Sequence, residues 1–464
     1  MQKLISKYVL AAHLALLAVA PLFLFPYCTG AQTAVVLLFL SLFAAFWIFL
    51  EPSRRNGEIL HEARVRVFFA TRSDPLFWIF CVLVVYAAVR WLNGGVATVY
   101  YPAETLWRVR PPVVEGVPGS VDGEGFLPFA VVVSVLVIVM GCRHALGKAA
   151  RLSFASCASV FAGSAGLAAL WACRLGHGGA LAATGVSWGD ASFAGAAFGM
   201  HFIAGIAALC GMAECKWSKY LLLYSFGIGA SGAAVVAFSP AIVAFGFLAA
   251  GAVVAIASFV YVWMTQRPPD VLKCMAALIL AVAIGAVIAI ASVPQSVLDE
   301  RLNSLLGGFL PEGFSAFRAR LSQIASTIWR DRVWFGAGLG SMPLEIKYCA
   351  VSADWSAWKG VAPKAVPNGW LQLLSERGVA GAIAIGAPLV AMTASAVVRF
   401  VKSWGRHAFL PLAFAGVAVV AVSAAEAFLD SSAFRAESLM AAGAYLALAG
   451  STFPTARKKS EDDN

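Results

Sequence analysis

The run PAIVAFGFLAAGAVVAIASFVYVWM, Pro240 to Met264, carries no charged residue and stops just short of Arg267. A helix rising about 1.5 Å per residue needs about 20 such residues to cross a hydrocarbon core about 30 Å thick. Comparable runs recur along the 464-residue chain, which is 61% hydrophobic and 12% charged, with a mean hydropathy of +0.81. A soluble globular protein carries about 25% charged residues. The runs are continuous rather than alternating, which excludes a β-barrel. The fold class is therefore an all-α polytopic membrane protein.

Working outward from Pro240–Met264, the pattern predicts about twelve transmembrane helices. They cover residues 8–26, 31–50, 75–93, 126–142, 152–173, 191–213, 219–236, 240–264, 274–293, 379–398, 407–425 and 436–453. The first has the look of a secretory signal, but it is long, ends in Pro26-Tyr27-Cys28 and is followed at once by a second span, so it is expected to stay uncleaved. Nine spans occupy residues 1–293. One large hydrophilic loop, 294–378, lies between spans nine and ten. Three more spans fill 379–453, and 454–464 is a charged tail.

The net charge of +10 does not indicate nucleic acid, because its distribution follows the membrane. With the N-terminus inside, 20 of the 34 Lys and Arg fall in cytoplasmic segments. Nine lie in the long loop, and five remain elsewhere: Arg90, Arg108, Arg110, Arg174 and Arg435. The positive-inside rule then places both termini in the cytoplasm and the long loop on the outer face. A smaller outer segment, 94–125, contains Pro111-Pro112 and Gly119 and is expected to be irregular. The nine cysteines show no paired spacing, so no disulfide framework or metal site is expected.

Within the long loop, Phe314, Phe317, Leu321, Ile324 and Ile328 recur at helical spacing. They predict an amphipathic helix over about 314–332, its apolar face set either on the membrane interface or on the bundle. Gly336, Gly338 and Gly340 then form a tight turn. After it come Pro367-Asn368-Gly369-Trp370-Leu371-Gln372 and Glu376-Arg377-Gly378.

An Arg on an amphipathic helix, then G-x-G-x-G-S, then Asn-x-x-Leu-Gln and Glu-x-Gly ahead of a span resembles the signature loop of the O-antigen ligase and O-antigen polymerase superfamily. The stretch FGMHFIAG, Phe198 to Gly205, is similar to a second family motif. These are bacterial inner-membrane proteins that move glycans carried on undecaprenyl pyrophosphate. The resemblance covers the loop and the general layout of spans. It implies periplasmic transfer or polymerisation of an undecaprenyl-pyrophosphate-linked oligosaccharide, with lipid A-core or a growing glycan chain as acceptor. Two family positions differ. The outer-face Ser-Arg after the seventh span is Ser239-Pro240 here, and the loop His is Pro367. The long loop contains no His, and of the six in the chain only His177 falls in an outer loop, while His201 falls in a span.

Breaking a bond to a lipid pyrophosphate develops charge on the leaving group, which arginine forks stabilise. Arg318 and Arg320 are expected in that role, with Lys364 or Arg435 replacing the missing family Arg. The acceptor hydroxyl needs a base, and Glu376 occupies the motif position, although Asp331, Glu345 and Asp354 are also in the loop. Asn368 is expected to orient or cap. Trp370, with Trp355 and Trp358, is expected either to stack on sugars or to sit in an interfacial belt. Gly336, Gly338 and Gly340 shape the substrate-binding turn. No P-loop, nucleotide-sugar site or metal-holding carboxylate pair is present in the sequence, so a metal-independent, cofactor-free reaction is expected. Two other classes stay open. One is a non-catalytic member that binds lipid-linked glycan. The other is a transporter or flippase, for which the spans offer few mid-membrane ionisable residues.

Overall fold

The computed structural model describes residues 2–24, 28–52, 59–95, 99–101, 106–108, 114, 117–121, 125–172, 192–212, 220–239, 241–265, 268–293, 295, 298–299, 303, 314–357, 363, 365–402, 410–428 and 434–451. The fold is a multi-pass helical bundle. Its helices are α1 (Gln2–Leu24), α2 (Gly30–Leu50), α3 (Leu60–Arg72), α4 (Pro75–Leu92), α5 (Phe126–Met140), α6 (Lys148–Ala172), α7 (Ser192–Met212), α8 (Leu221–Phe238), α9 (Ala241–Thr265) and α10 (Pro268–Ser292). The loop contributes α11 (Phe314–Asp331), α12 (Met342–Cys349) and α13 (Ser352–Ala357), and the chain closes with α14 (Gly369–Lys402), α15 (Leu410–Glu426) and α16 (Ala436–Ser451).

Nine helical segments among the described residues are long and apolar enough to cross a membrane. They correspond to the expected spans from 31–50 through 379–398. The expected spans at 8–26 and 407–425 fall on shorter apolar helices, and 436–453 falls on α16. Helix α3 was not expected as a separate element. It carries Arg64, Arg66 and Arg72, exposes Val65, Phe68 and Phe69, and leads into α4 through Asp74, whose side chain caps the Leu76 N–H at 3.1 Å.

Burial explains the order of the bundle. Helix α7 is rich in Gly and Ala, and its apolar window is almost wholly buried. Small side chains let helices approach closely where lipid supplies no hydrophobic drive between them, so α6, α8, α9, α15 and α16 all pack on α7. Helices α2, α9 and α10 are apolar all round and leave large side chains such as Phe39, Ile256 and Ile290 exposed, as lipid-facing helices do. His201 sits buried on α7 and pairs through Nδ1 with the Tyr445 hydroxyl of α16, which gives it a packing role. His177 lies outside the described residues.

The segment between α4 and α5 is not wholly irregular. It contains β1 (Gly94–Gly95) paired in parallel with β4 (Ser120–Val121), and β2 (Val99–Tyr101) paired antiparallel with β3 (Leu106–Arg108). The first pair has a purpose at the site: Ser120 continues into a parallel bridge with Leu339 in the glycine turn.

Candidate functional site

The sequence places α11 and the glycine turn side by side, and the structure shows what the turn is for. Helix α14 is broken at Gly378, which adopts φ 64° and ψ −171°. A break leaves carbonyls at the end of the first piece and N–H groups at the start of the second without helical partners. Residues 333–338 fill that gap from both sides. The N–H groups of Ala337 and Gly338 donate to the carbonyls of Ser375 and Glu376, at 2.7 and 3.1 Å. The carbonyls of Val333 and Trp334 accept from the N–H groups of Val379 and Ala380, at 2.9 and 3.0 Å. Such close backbone contact demands glycine. A Cβ at Gly336, where φ is 69°, would stand 2.4 Å from the Glu376 carbonyl carbon. Gly336, Gly338 and Gly340 were expected to shape a substrate-binding turn; the structure gives the first two a splice between α11 and α14. All three have positive φ.

A cluster of charge sits on this splice. Arg90, at the end of α4, is buried, and its Nη2 donates to the carbonyls of Gly119 and Glu376 at 2.7 and 2.9 Å. Its Nη1 donates to the Tyr86 hydroxyl at 2.8 Å. These acceptors are neutral, so they orient the guanidinium without cancelling its charge. The Glu376 carboxylate is buried and accepts from the Met342 N–H at the start of α12. Arg90, Arg377 and Arg435 all lie within electrostatic reach of it. Arg90 and Arg435 also act on Arg377, and Arg435 acts on the buried Glu437. Among the described residues, Arg90, Arg377 and Arg435 thus lie around Glu376, with Glu437 next to Arg435, where α4 ends, α14 breaks and α16 begins. Charge pairs interact several-fold more strongly at a protein's edge than in bulk water. Guanidiniums in that setting offer forked donors suited to an anion.

The residues expected at the site do not all converge. Arg318, on α11, donates from Nη2 to the carbonyls of Pro367 and Phe428, at 2.9 and 2.6 Å, and so ties the loop to the turns before α14 and after α15. Arg320 points elsewhere, into a forked ion pair with Asp354 at 2.8–3.1 Å. The apolar face of α11 is not laid on the membrane either. Leu321, Ile324, Ala325 and Ile328 are buried against Met342, Ile346 and Val366 in a core belonging to the loop itself.

Asn368 caps α14 by accepting from the Leu371 N–H at 3.1 Å. Trp370 donates from Nε1 to the Ala424 carbonyl at 3.2 Å and packs edge-on against Phe434, ring centroids 5.0 Å apart. Its indole is therefore engaged by the end of α15 and the start of α16. Glu376 and Arg435 are the two expected site residues that the structure brings together. Lys364 lies outside the described residues, as does the side chain of Trp355.

Arg90 and Arg377 were not singled out from the sequence. Arg90 reads as an ordinary cation at the end of a span, and only the fold brings the Glu376 carbonyl, 286 residues away, onto its guanidinium. Arg377 was visible as the middle residue of Glu-Arg-Gly. No family model matches the chain, and no curated protein is significantly similar to it.

Proposed function

We propose that this chain is a glycan polymerase or ligase that acts on undecaprenyl-pyrophosphate-linked oligosaccharide at the periplasmic face of a bacterial inner membrane. One observation supports the reading above the others: Arg90, Arg377 and Arg435 surround Glu376 at the splice between the glycine turn and α14. Transfer requires cations where the pyrophosphate departs. Arg377 and Arg435 take that role, replacing the family Arg that is Pro240 here, while Arg90 orients them and Arg318 holds the loop in place. Glu376 is the base or the orienting group for the acceptor hydroxyl, which belongs to a growing glycan or to lipid A-core. Polymerisation is preferred over ligation because the position of the ligases' loop His is Pro367. The proposal takes twelve spans, both termini in the cytoplasm and the 294–378 loop in the periplasm.

A second reading, a non-catalytic member that binds lipid-linked glycan, is favoured by the backbone carbonyls of Pro367 and Phe428 that Arg318 holds and by the Asp354 pair that Arg320 makes. The test is complementation of a clean deletion with wild type, Arg377→Gln or Arg435→Gln, followed by analysis of surface polysaccharide and extracted lipid-linked glycan. Polymerase activity predicts single repeat units on the lipid in the deletion and in both variants. Full-length chains on the lipid would indicate a ligase. Unchanged pools in the deletion would remove the enzyme reading and leave the non-catalytic one.

A further inference from the structure

Where α11 ends, three consecutive large apolar residues face outward. Val333, Trp334 and Phe335 are 40%, 68% and 36% exposed, and the exposed Arg330 sits one turn before them. A run of this kind on a water-facing loop is a liability unless something covers it. The buried face of α11 is already satisfied by the loop core, so the tip is not an unfinished part of that packing.

Its position identifies the cover. The Val333 and Trp334 carbonyls are bonded to the N–H groups of Val379 and Ala380. Those two residues begin the apolar part of α14. Three residues after Ala380 comes Ile383, and Ile383, Val390 and Val397 are all exposed at seven-residue steps. That spacing is one face of a helix, and on a membrane-crossing helix an exposed apolar face is the lipid face. The tip therefore continues the lipid-facing stripe of α14 at its loop end. Trp is the side chain best suited to that depth, with an apolar ring and one N–H for the headgroup layer, and Arg330 supplies a cation for lipid phosphates.

We propose that Val333-Trp334-Phe335 inserts into the adjoining leaflet of the bilayer, so that the loop is anchored in lipid at its glycine turn rather than held clear of the membrane. The anchor fixes Gly336–Gly340 and the α14 break at headgroup depth. The inference does not depend on glycan transfer and would hold for any function.

The test uses the full-length protein in nanodiscs of phosphatidylethanolamine and phosphatidylglycerol, with photoreactive benzoylphenylalanine in place of Trp334. A second sample carries it at Phe335, in case the first position disturbs the turn. A third carries it at Thr327, an exposed position of α11. After irradiation, intact-mass analysis should show lipid adducts at 334 or 335 and none at 327. Adducts to a second copy of the chain would overturn the proposal in favour of a protein interface. Unreacted or water-quenched label at both tip positions would show the tip to be solvated and overturn it as well. Irradiating the same variants in cells extends the test, and capture of another protein at 334 in place of lipid counts against the anchor.

Discussion

The carbonyl oxygen of Trp334 occupies the place that any side chain at Gly378 would need: a Cβ built on Gly378 lies 2.3 Å from it. That oxygen cannot swing away, because it caps the Ala380 N–H. Gly378 also has φ 64°, which L-residues rarely adopt. Gly378→Ala should therefore cost at least about 2 kcal/mol, through clash and backbone strain together. Gly386, further along the same helix, has nothing within 4 Å of its Cβ position. Gly386→Ala should be neutral or slightly stabilising, since Ala is favoured over Gly in a helix by about 1 kcal/mol. Thermal unfolding in detergent separates the two. Equal melting temperatures would show that the break tolerates a side chain and that the backbone contacts between Trp334 and Gly378 yield to it.

Arg320 and Asp354 should behave as a structural pair. Hydrogen bonds from Arg320, and then from the Val351 N–H, hold the Asp354 carboxyl below the usual carboxylate range. Because the folded value is depressed, the pair stabilises above the ordinary Asp value of about 3.9 and loses that contribution as pH falls through the folded value. Arg320 is partly exposed, so the coupling in a double-mutant cycle of Arg320→Ala and Asp354→Ala should be small, about 0.5–1 kcal/mol. Glycan products should respond alike to the two single variants. Loss of product with Arg320→Ala but not with Asp354→Ala would return Arg320 to the proposed phosphate site.

These cases show which parts of the molecule local sequence determines. Helix class and position follow from hydropathy, which needs only neighbouring residues, and so the runs from Gly30 to Met264 were readable. The amphipathic period of Phe314 to Ile328 gave α11, but not its partner: an apolar face looks the same whether it meets lipid, bundle or, as here, Met342 and Val366. Arginine roles were the least readable. Whether Arg318 meets a phosphate or the carbonyls of Pro367 and Phe428 depends on residues 49 and 110 positions away. The glycine turn was recognised as a turn, yet its use as a splice depends on a break in α14 that Gly378 alone does not announce.

At the opposite end of α4 from Arg90, Asp74 should control acid stability. Burial alone would raise its pKa. Hydrogen bonds from His144 and Arg143, at 2.9 and 2.7 Å, outweigh that and hold the carboxyl down to about 2. A depressed folded value makes the contribution present above about pH 4 and lost as pH falls toward 2, worth about 2 kcal/mol when fully present. Asp74→Asn keeps the cap on Leu76 and removes the charge. It should lower the melting temperature at pH 7 and narrow the gap to wild type as the medium is acidified. A gap that stays constant down to pH 3 would mean that the carboxylate is not what joins α4 to the turn after α5.

Glu437 poses the reverse case. It is 1% exposed in the first turn of α16, and among the described residues neither carboxylate oxygen has a hydrogen-bond partner on another residue. The carboxylate folds back toward its own N–H, and among the described residues the equally buried hydroxyl of its neighbour Ser438 has no partner either. A buried charge without full hydrogen bonding is destabilising, and replacing it with a neutral isostere relieves the cost. Glu437→Gln should therefore raise stability modestly. Glu376→Gln should lower it, because that carboxylate accepts from Met342 beside three arginines. A position held at a cost to stability is expected to contribute to function. Under the proposed glycan transfer, Glu437→Gln should accordingly be the more stable protein and the poorer producer of glycan, as Arg435 loses one of the carboxylates near it. If Glu437→Gln is instead destabilised to the same degree as Glu376→Gln, Glu437 is a helix-start anchor and its link to Arg435 has no functional weight.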